Sequence, residues 1–423
     1  MKKKVLVRAP ILTQSGYGEH ARFTMRALRA YEEYFDIYAI PIEWGKLNWE
    51  WNDTPERRWF DEIFEKSIRY NEAGGQYDLS IQVTIPNEWQ KLAPINIGVT
   101  AGIETNAIAP EWIEKSMLMN RIITISEHAK MTYLNTAYDA QDSNTGQVFK
   151  NFRCNTPIDI VRYPVKETHN LDLQLDLEYD FNFFINAVWT PRKNLDNTIK
   201  WFVEEFIDQE VGLVVKTNVM KNCLYDKILC ENKLKEFLSA YPNRKCKVYL
   251  LHGYMKEEEM SSVFSHEKIK AYICLSHGEG FGLPVFEAAY HGLPVIAPEW
   301  SGYVDFMRFP LKDKKGKEKM KSALAKVDYL ILPVNKEVVW KGVINEDMKW
   351  CEPEQGSYKM RLREIYKDYG RFKKRAGLLQ QHLKETYTAE NQYKKVFDSI
   401  SKVVDFQLDE EVNELFDQLM NQG

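Results

Sequence analysis

The 423-residue sequence contains no apolar run that approaches the about 18 residues of a membrane-spanning helix. The apolar run that follows its first lysines is too short for the core of a signal peptide, and no small-residue cleavage site comes after it. We therefore expect no integral membrane segment and a cytoplasmic location.

Cysteine is also scarce, and its spacing argues against disulfide scaffolds and zinc modules. The six cysteines form no C-x-x-C pair, and none lies near a histidine at the spacing of a zinc site. So few thiols in so long a chain are typical of reduced cysteines. The sequence also lacks the D-x-D, H-E-x-x-H and G-x-S-x-G motifs, so we expect neither a metal nor a serine nucleophile.

A large excess of charge of one sign is missing as well. Lys and Arg number 57 against 61 Asp and Glu, and the net charge of −4 predicts no global attraction to nucleic acid or anionic membrane. The basic run KDKKGKEKMK at 312–321 is the local exception. It is compatible with contact to anionic lipid, nucleic acid or a polyanionic acceptor, although we favour a solvated loop.

Two series of short apolar runs alternate with helical patterns along the chain. Runs that are rich in Ile and Val and separated by helices predict parallel strands in βαβ units. The second series begins with FNFFINAV at Phe181 and ends with YLILPV at Tyr329. We predict an α/β protein of two doubly wound, Rossmann-like domains with a ligand site in the cleft between them.

The polar stretch KETHNLDLQLDLEYD separates the two series. It predicts an N-terminal domain at 1–165, a linker at 166–180, a C-terminal domain at 181–380 and helices at 381–423 that pack back on the N-terminal domain. The last segment, from Asp409, spaces its apolar residues as an amphipathic helix does. We expect that helix to pack on the body of the protein rather than form an oligomer contact.

The densest motif is SHGEGFGLPVFEAAYHGLPVIAPEWSGYVD at 276–305. A predicted strand ends at Ser276, a loop with three glycines follows, and Pro284 is well placed to open a helix. Small residues before a helix N-terminus let backbone N–H groups approach an anion, and the helix dipole attracts it. Phosphate would repel Glu279 and Glu287, so we expect these carboxylates to accept hydrogen bonds from sugar hydroxyls.

This arrangement, E-G-F-G-L-P-x-x-E-A-x-x-x-G-x-P-V-I-A, closely resembles the E-x7-E segment of the retaining group 1 glycosyltransferases of the GT-B fold. The resemblance implies an acceptor-side first domain, a nucleotide-sugar-binding second domain, no metal and no cofactor. A UDP-, GDP- or ADP-sugar would be the donor. Glu279 would contact the transferred sugar and Glu287 the ribose. The donor diphosphate would lie at the amides of Gly280, Phe281, Gly282 and Leu283.

Two further segments of the second domain resemble the family. In AVWTPRKNL at 187–195, Lys193 matches the family lysine that binds the diphosphate, whereas Val188 stands where the family usually has arginine. Arg192 and Lys216 are the candidates to supply that missing charge. The run LHGYMKEEEMSSVF at 251–264 resembles the turn that holds the nucleotide base, so Tyr254 is either a base contact or a core aromatic.

The first domain carries looser matches. The string SGYGEH at 15–20 resembles the family's glycine-rich loop, which implies that Gly16 and Gly18 lie near the donor phosphates. The segment that begins GIETNAIAP resembles the acceptor side of the cleft, so Glu104 is a candidate to face the reacting centre. Many relatives have a histidine near this part of the cleft, where this sequence has Thr100 and Glu104.

The resulting hypothesis is retaining transfer of a hexose-type sugar to a hydroxyl of a glycan, lipid-linked saccharide, protein or modified nucleic acid. The catalytic candidates are Glu279, Glu104 and Lys193. The missing arginine and histidine leave open a degenerate GT-B scaffold that binds nucleotide or glycan without turnover. Several tryptophans at 44–59 suggest either an acceptor platform or ordinary packing, and we favour packing.

Overall fold

The computed structural model describes residues 2–45, 48–50, 52–141, 145–312 and 316–406. The amphipathic segment predicted from Asp409 and residues 313–315 of the basic run lie outside the described residues. Within the described ranges, no helix is both long enough and apolar enough to cross a membrane.

The N-terminal half of the chain alternates strands and helices. Its elements are β1 (Lys3–Ala9), α1 (Gly16–Arg29), β2 (Phe35–Pro41), α2 (Pro55–Glu72), β3 (Leu79–Val83), β4 (Ile95–Thr100), α3 (Pro110–Ser116), β5 (Arg121–Thr124), α4 (Glu127–Asn135), β6 (Tyr138–Gln141), β7 (Val148–Phe152) and β8 (Ile158–Ile160). The parallel sheet has the order β2-β1-β3-β4-β5-β8, and β6 pairs with β7 as a separate hairpin.

The C-terminal half repeats this plan and adds two small antiparallel pairs. Its elements are β9 (Asn182–Asn186), α5 (Leu195–Glu205), β10 (Gly212–Lys216), α6 (Leu224–Ser239), β11 (Lys247–Leu251), α7 (Glu257–Ser265), β12 (Ile269–Ile273), α8 (Leu283–Tyr290), β13 (Val295–Pro298), α9 (Val304–Met307), β14 (Arg308–Lys312), β15 (Glu318–Ser322), β16 (Ala325–Val327), β17 (Tyr329–Pro333), β18 (Lys349–Pro353), α10 (Gln355–Lys367), α11 (Tyr369–Thr386) and α12 (Ala389–Ser401). The parallel sheet has the order β11-β10-β9-β12-β13-β16. The predicted pair of doubly wound, Rossmann-like domains is confirmed.

Two local predictions are wrong. The run at Tyr329 forms β17, but it pairs antiparallel with β18 and leaves Leu330, Ile331 and Leu332 exposed. The edge of the parallel sheet is instead β16, a strand too short and too polar to stand out as an apolar run. The basic run is not a loop throughout, because its described end forms β15, which pairs with β14.

Residues 329–353, the bridging segment, fasten the second domain to the first. Trp350 is fully buried, and it shares a hydrophobic cluster with Trp89 and Trp112 of the N-terminal domain. The main chain adds hydrogen bonds: Asn106 N–H donates to the carbonyl of Lys349 over 2.9 Å, and Lys349 N–H donates to Asn106 Oδ1 over 2.7 Å. Where the bridging segment meets the first domain, packed side chains therefore close the cleft.

The last helix forms a second fastening. On α12, Phe397 stacks on Tyr31 with ring centroids 4.3 Å apart, and Tyr393 lies 5.8 Å from Phe23 of α1. Lys402 Nζ also donates to Asp159 Oδ1 over 2.8 Å. The chain thus crosses back from the second domain to pack on the first.

Replacing Trp350 by alanine should lower the free energy of unfolding by about 3–5 kcal/mol, because the surrounding core cannot fully close the cavity. Urea titration followed by circular dichroism measures this loss. Trp340→Ala is the matched control, since Trp340 lies in the same segment and is 55% exposed. Its effect should stay within about 0.5 kcal/mol, and equal losses for both variants would contradict the packing role of Trp350.

Candidate active site

The candidate site lies where the strand order of the second sheet reverses. Strands β9 and β12 are neighbours, but the chain leaves β9 toward β10 and leaves β12 toward β13. Loops that diverge in this way open a crevice at the carboxyl ends of the strands. The loop after β9 supplies Arg192 and Lys193, and the loop after β12 supplies Gly278 and Glu279. His277 N–H donates to the carbonyl of Arg192 over 2.9 Å and holds the two loops together.

Four charged side chains form a cluster across the interdomain boundary. Lys193 Nζ donates to Glu279 Oε1 over 2.5 Å. Arg192 Nη1 lies 3.3 Å from Glu279 Oε2 and 3.3 Å from Glu104 Oε1, and Glu104 belongs to the N-terminal domain. The same guanidinium donates to the carbonyl of Gly278 over 2.7 Å. The predicted catalytic candidates Glu104, Lys193 and Glu279 therefore meet, with Arg192 between the two carboxylates.

Glu279 is ionised at neutral pH. Burial by itself raises the pKa of this carboxyl, but the charges of Lys193 and Arg192 outweigh burial and lower the pKa to about 2. The backbone N–H of Glu279 also donates to Ser301 Oγ over 2.9 Å, which fixes the loop. The site thus presents a permanent negative charge between two cations.

Two glycines of the loop allow contact with the other domain. A Cβ atom at Gly278 would lie 2.3 Å from the carbonyl oxygen of Glu104, and one at Gly280 would lie 2.3 Å from that of Ala101. The sequence interpretation assigned these small residues to phosphate approach, but the backbone of the N-terminal domain fills the space beside them. Gly282 has a different role: with φ +86° it takes the left-handed conformation at the start of α8.

Helix α8 begins as predicted, with proline in its first turn. The side chain of Phe281 packs inward, 5.0 Å from the ring of Tyr163 and 4.8 Å from that of Phe306. Phe281 can therefore offer a ligand only its backbone in this conformation, whereas the half-buried Leu283 borders the larger cavity. The first turn of α8 lies between a small pocket bordered by Lys193 and Glu279 and a larger cavity on its other side.

Glu287 borders the larger cavity, of about 300 Å³, between the domains. Lys166 crosses this cavity's wall, with Nζ 3.0 Å from Glu19 Oε1 and 2.5 Å from Glu257 Oε1. Burial raises the pKa of Glu287 to about 7; Lys166 opposes the shift, whereas Glu257 and Glu19 add to it. The two carboxylates of the motif therefore differ in charge state near neutral pH.

The remaining predicted residues lie at neighbouring strand ends or in the first domain. Lys216 ends β10, and its Nζ donates to the carbonyl of Gly253 over 2.6 Å. Tyr254 is 47% exposed and is not a core aromatic; its hydroxyl accepts from Asn52 Nδ2 of the other domain over 2.9 Å.

In the first domain, Gly16 opens α1, and a Cβ there would meet no atom within 4 Å. A Cβ at Gly18 would lie 1.9 Å from the carbonyl oxygen of Thr13. Gly18 is therefore required for close packing of the loop, whereas the backbone at Gly16 is open to a ligand.

The structure also places a histidine that the sequence interpretation missed. His128, at the start of α4, has Nε2 3.1 Å from the carbonyl oxygen of Thr105. Its ring centroid lies 5.1 Å from that of Trp300, a residue of the second domain. Burial lowers the pKa of His128, so the ring is neutral at pH 7. The sequence shows only that His128 follows β5 within the string SEHAK. It does not indicate that α4 faces the other domain.

Three side chains of metal-ligand type meet near the predicted base loop. Ligand atoms of Asp226, Cys230 and His252 all lie within 4.8 Å of one another. His252 Nε2 is 2.8 Å from Asp226 Oδ2, and Asp226 also accepts from the backbone N–H groups of Val219 and Met220. Sequence spacing could not reveal the group, because α6 and the end of β11 supply it separately. In the structure, Asp226 fixes the loop after β10 to the turn at Gly253.

The comparisons with known proteins agree with this architecture. Residues 252–396 match the model of a family described as "Family 4 Glycosyltransferase in conflict systems". No curated protein matches the chain.

Three solved structures are similar to this chain to different degrees. A Rickettsia africae glycosyltransferase has 11% identity and a TM-score of 0.58, with 96% of this chain and 99% of that chain covered. Anabaena HepE with UDP and glucose has 12% identity and a TM-score of 0.54, with 95% and 100% covered. Staphylococcus aureus TarM with UDP has 16% identity and a TM-score of 0.46, with 76% of this chain and only 55% of that chain covered. The Rickettsia and Anabaena structures share the fold that the sequence predicts, and the match over 252–396 agrees with the predicted resemblance to a glycosyltransferase family.

The raised pKa of Glu287 predicts a specific pH dependence. Its folded-state pKa of about 7 exceeds the ordinary 4.5, so its contribution to stability is complete below pH 4.5 and is lost as the pH rises through 7. Glu287→Gln should remove this loss, so that the variant gains melting temperature relative to the parent between pH 5 and pH 8. Glu258→Gln, on the exposed first turn of α7, is the control and should follow the parent at every pH. Parallel curves for Glu287→Gln and the parent would contradict the assignment.

Proposed function

We propose that this GT-B glycosyltransferase moves a hexose-type sugar, with retention of configuration, from a nucleoside-diphosphate sugar to a hydroxyl acceptor. One observation carries the proposal: the ionised carboxylate of Glu279 lies between Lys193 and Arg192 at the switch point of the second sheet. Such a place combines an anion-binding loop and helix N-terminus with an acceptor for sugar hydroxyls.

The donor diphosphate needs positive charge in a cleft that screens it poorly. Lys193 and the backbone N–H groups at the start of α8 are the donors that the site offers. As the bond to the sugar breaks, negative charge grows on the leaving diphosphate, and fixed donors stabilise that charge without reorganising. The ammonium of Lys193 would then donate hydrogen bonds both to Glu279 and to the phosphate. It would thereby connect the carboxylate that contacts the sugar with the leaving group.

The nucleoside would extend toward the ends of β10 and β11. There the bond from Lys216 fixes Gly253, and Tyr254 presents an exposed ring that suits contact with a base. Glu287 would meet the ribose from the larger cavity. Because the pKa of Glu287 is about 7, its carboxyl can donate or accept toward the ribose hydroxyls near neutral pH.

The ion pairing of the two carboxylates in the cluster favours retention of the anomeric configuration. Glu279 and Glu104 are both ion-paired to Arg192, which weakens either as a nucleophile toward the anomeric carbon. The acceptor hydroxyl would then attack from the face of the leaving diphosphate, whose oxygen can take the proton. Glu104 and the neutral His128 belong to the first domain and would orient the incoming hydroxyl from there.

A binding scaffold without turnover is the alternative, and one observation favours it. The cluster of Glu104, Arg192, Lys193 and Glu279 is internally neutral, so its cations are already paired before any donor arrives. A scaffold would bind a nucleotide and leave these pairs intact, whereas an enzyme must re-partition them during each turnover.

Release of nucleoside diphosphate from a panel of UDP-, GDP- and ADP-sugars, with and without acceptor extract, tests the proposal. The UDP complex of HepE makes UDP-sugars the first choice. We expect turnover of one donor and a fall of at least about 100-fold in Glu279→Gln, because the negative charge beside the reacting sugar and one acceptor oxygen are lost.

Glu299→Gln is the matched control for this experiment. Glu299 also belongs to the second domain and is ion-paired, to Arg308 and Lys326, which lower its pKa to about 2 against the opposing effect of burial. Its carboxylate pairs with Arg308 and Lys326 and with none of the four charged residues of the cluster, so this variant should keep the parent rate. Full activity in Glu279→Gln would overturn the assignment, and tight donor binding with no turnover of any donor would favour the scaffold.

A further inference from the structure

The buried face of α6 carries polar and thiol side chains where large apolar ones would be expected. The buried residues of this helix are Asp226, Cys230 and Leu234, which are spaced four residues apart on one face. Leu224 and Tyr225, by contrast, are 72% and 66% exposed. A helix on the surface of a domain ordinarily turns its large apolar residues inward. Burial of apolar surface alone therefore does not explain which face of α6 is turned inward.

His252 completes a group of three side chains that are able to ligate a metal. It follows β11, and its Nε2 lies 2.8 Å from Asp226 Oδ2. The ligand atoms of Asp226, Cys230 and His252 all lie within 4.8 Å of one another. The side chains of His252 and Asp226 are 3% and 2% exposed, and Cys230 is fully buried. A thiol, an imidazole and a carboxylate thus converge at one buried point.

Main-chain groups hold the carboxylate of Asp226 from its other side. Its Oδ1 accepts from the N–H of Met220 over 2.9 Å, and the N–H of Val219 is shared between Oδ1 and Oδ2 at 3.2 and 3.1 Å. Outer hydrogen bonds of this kind orient the ligating carboxylates of metal sites. With Oδ1 held in this way, Oδ2 is the oxygen that contacts His252.

The three donor atoms form a set that zinc prefers. Zn²⁺ binds thiolate sulfur at about 2.3 Å, and it binds imidazole nitrogen and carboxylate oxygen at about 2.0–2.2 Å. A tetrahedral ion would hold the three atoms about 3.3–3.6 Å apart. That spacing lies between the 2.8 Å of the contact between His252 and Asp226 and the 4.8 Å within which all three atoms lie. Mg²⁺ and Ca²⁺ prefer oxygen ligands and suit this set poorly.

The charges of the group also suit a divalent cation. A thiolate and a carboxylate carry two negative charges that one Zn²⁺ neutralises, so the buried site would contain no unpaired ion. Two lysines interact electrostatically with Cys230, but each has an oxygen partner of its own. Lys216 Nζ donates to the carbonyl of Gly253 over 2.6 Å, and Lys233 Nζ lies 3.5 Å from Asp196 Oδ1.

We propose that Asp226, Cys230 and His252 bind a structural zinc ion, with water as the fourth ligand. On binding, the thiol of Cys230 releases its proton to solvent and ligates as thiolate, and His252 ligates through Nε2 with its proton on Nδ1. The ion would tie α6 to the turn at Gly253, where φ is +106°.

The proposed zinc site is separate from the reacting centre. It adjoins β10 and β11, whereas Lys193 and Glu279 lie in the loops that follow β9 and β12. The ion would therefore take no part in sugar transfer, which agrees with the metal-free reaction that the family resemblance implies. Zinc binding does not depend on the proposed function and can be measured without a donor.

The zinc content of the full chain tests the proposal. The purified chain is stripped with a chelator, incubated with zinc chloride, passed through gel filtration and analysed by inductively coupled plasma mass spectrometry. We expect about one zinc ion per chain, and a higher melting temperature than that of the stripped chain, because the ion binds the folded state. Cobalt(II) in place of zinc should give a thiolate-to-cobalt charge-transfer band, which reports ligation by Cys230.

Two conservative variants separate metal binding from ordinary packing. Cys230→Ser nearly preserves the size of the side chain, and His252→Gln retains an N–H group that can donate to Asp226. Loss of an outer hydrogen-bond partner alone costs about 10–100-fold in metal affinity, so loss of a ligand should cost at least about 100-fold. The melting temperature of either variant should no longer respond to zinc.

Cys246→Ser is the matched control. Cys246 is also buried in the second domain, but it precedes β11 whereas His252 follows it, so the strand separates the two residues by about 20 Å. This variant should keep the zinc content, the thermal response and the cobalt band of the parent. Parent protein that retains no zinc, equal zinc content in Cys230→Ser and the parent, a cobalt complex without the thiolate band, or an equal loss in Cys246→Ser would overturn the proposal.

Discussion

The architecture of the site depends on contact between two backbones across the cleft. The loop at 278–280 lies against the loop at 101–104 at distances that exclude any side chain on Gly278 or Gly280. Gly302 supports the same loop from behind, since a Cβ there would lie 1.8 Å from the carbonyl oxygen of Gly280. Gly278 and Gly280 thus let the domains approach closely enough for Glu104 to reach Arg192, and Gly302 lets the loop keep that position.

That approach has an electrostatic consequence. Four charges removed from water are costly unless each has a partner at hydrogen-bond distance. Arg192 forms ion pairs with two carboxylates from different domains, and Lys193 forms a second ion pair with Glu279. Moving the domains apart would leave Glu104 without Arg192 but would keep Glu279 paired within the second domain. The carboxylate expected to meet the sugar is therefore ionised whether the cleft is narrow or wide.

The two sides of the cleft differ in what holds them. On one side the bridging segment buries Trp350 and Met348 against the first domain. On the other side Lys166, Glu19 and Glu257 are joined by ion pairs around a cavity. Partly solvated ion pairs contribute much less to stability than packed aromatic side chains do. The ion pairs around the cavity therefore contribute less to the contact between the domains than the packing of the bridging segment does.

Much of the fold followed from the sequence because buried parallel strands appear as apolar runs between helical patterns. Prediction from apolar runs failed where a strand is apolar but exposed, or buried but partly polar. Strand β17 is apolar yet exposed, and β16 is buried at a sheet edge with a lysine in its centre. The glycines at 278 and 280 were recognised, but their partner across the cleft was not, because a contact between residues about 175 positions apart leaves no periodic signal. His128 and the group around Asp226 were missed for the same reason.

The two glutamates of the motif show how far spacing can be taken. Glu279 and Glu287 stand on one loop and one short helix, so their separation fixes that both lie around the first turns of α8. It does not fix their charge. Glu279 meets two cations from the neighbouring loop, whereas Glu287 meets one lysine and two further carboxylates contributed by α1 and α7. The pKa of about 7 at Glu287 comes mainly from burial, and the pKa of about 2 at Glu279 arises because Lys193 and Arg192 outweigh burial. A motif specifies where the carboxyls are, and the packing of both domains decides which of them carries a proton.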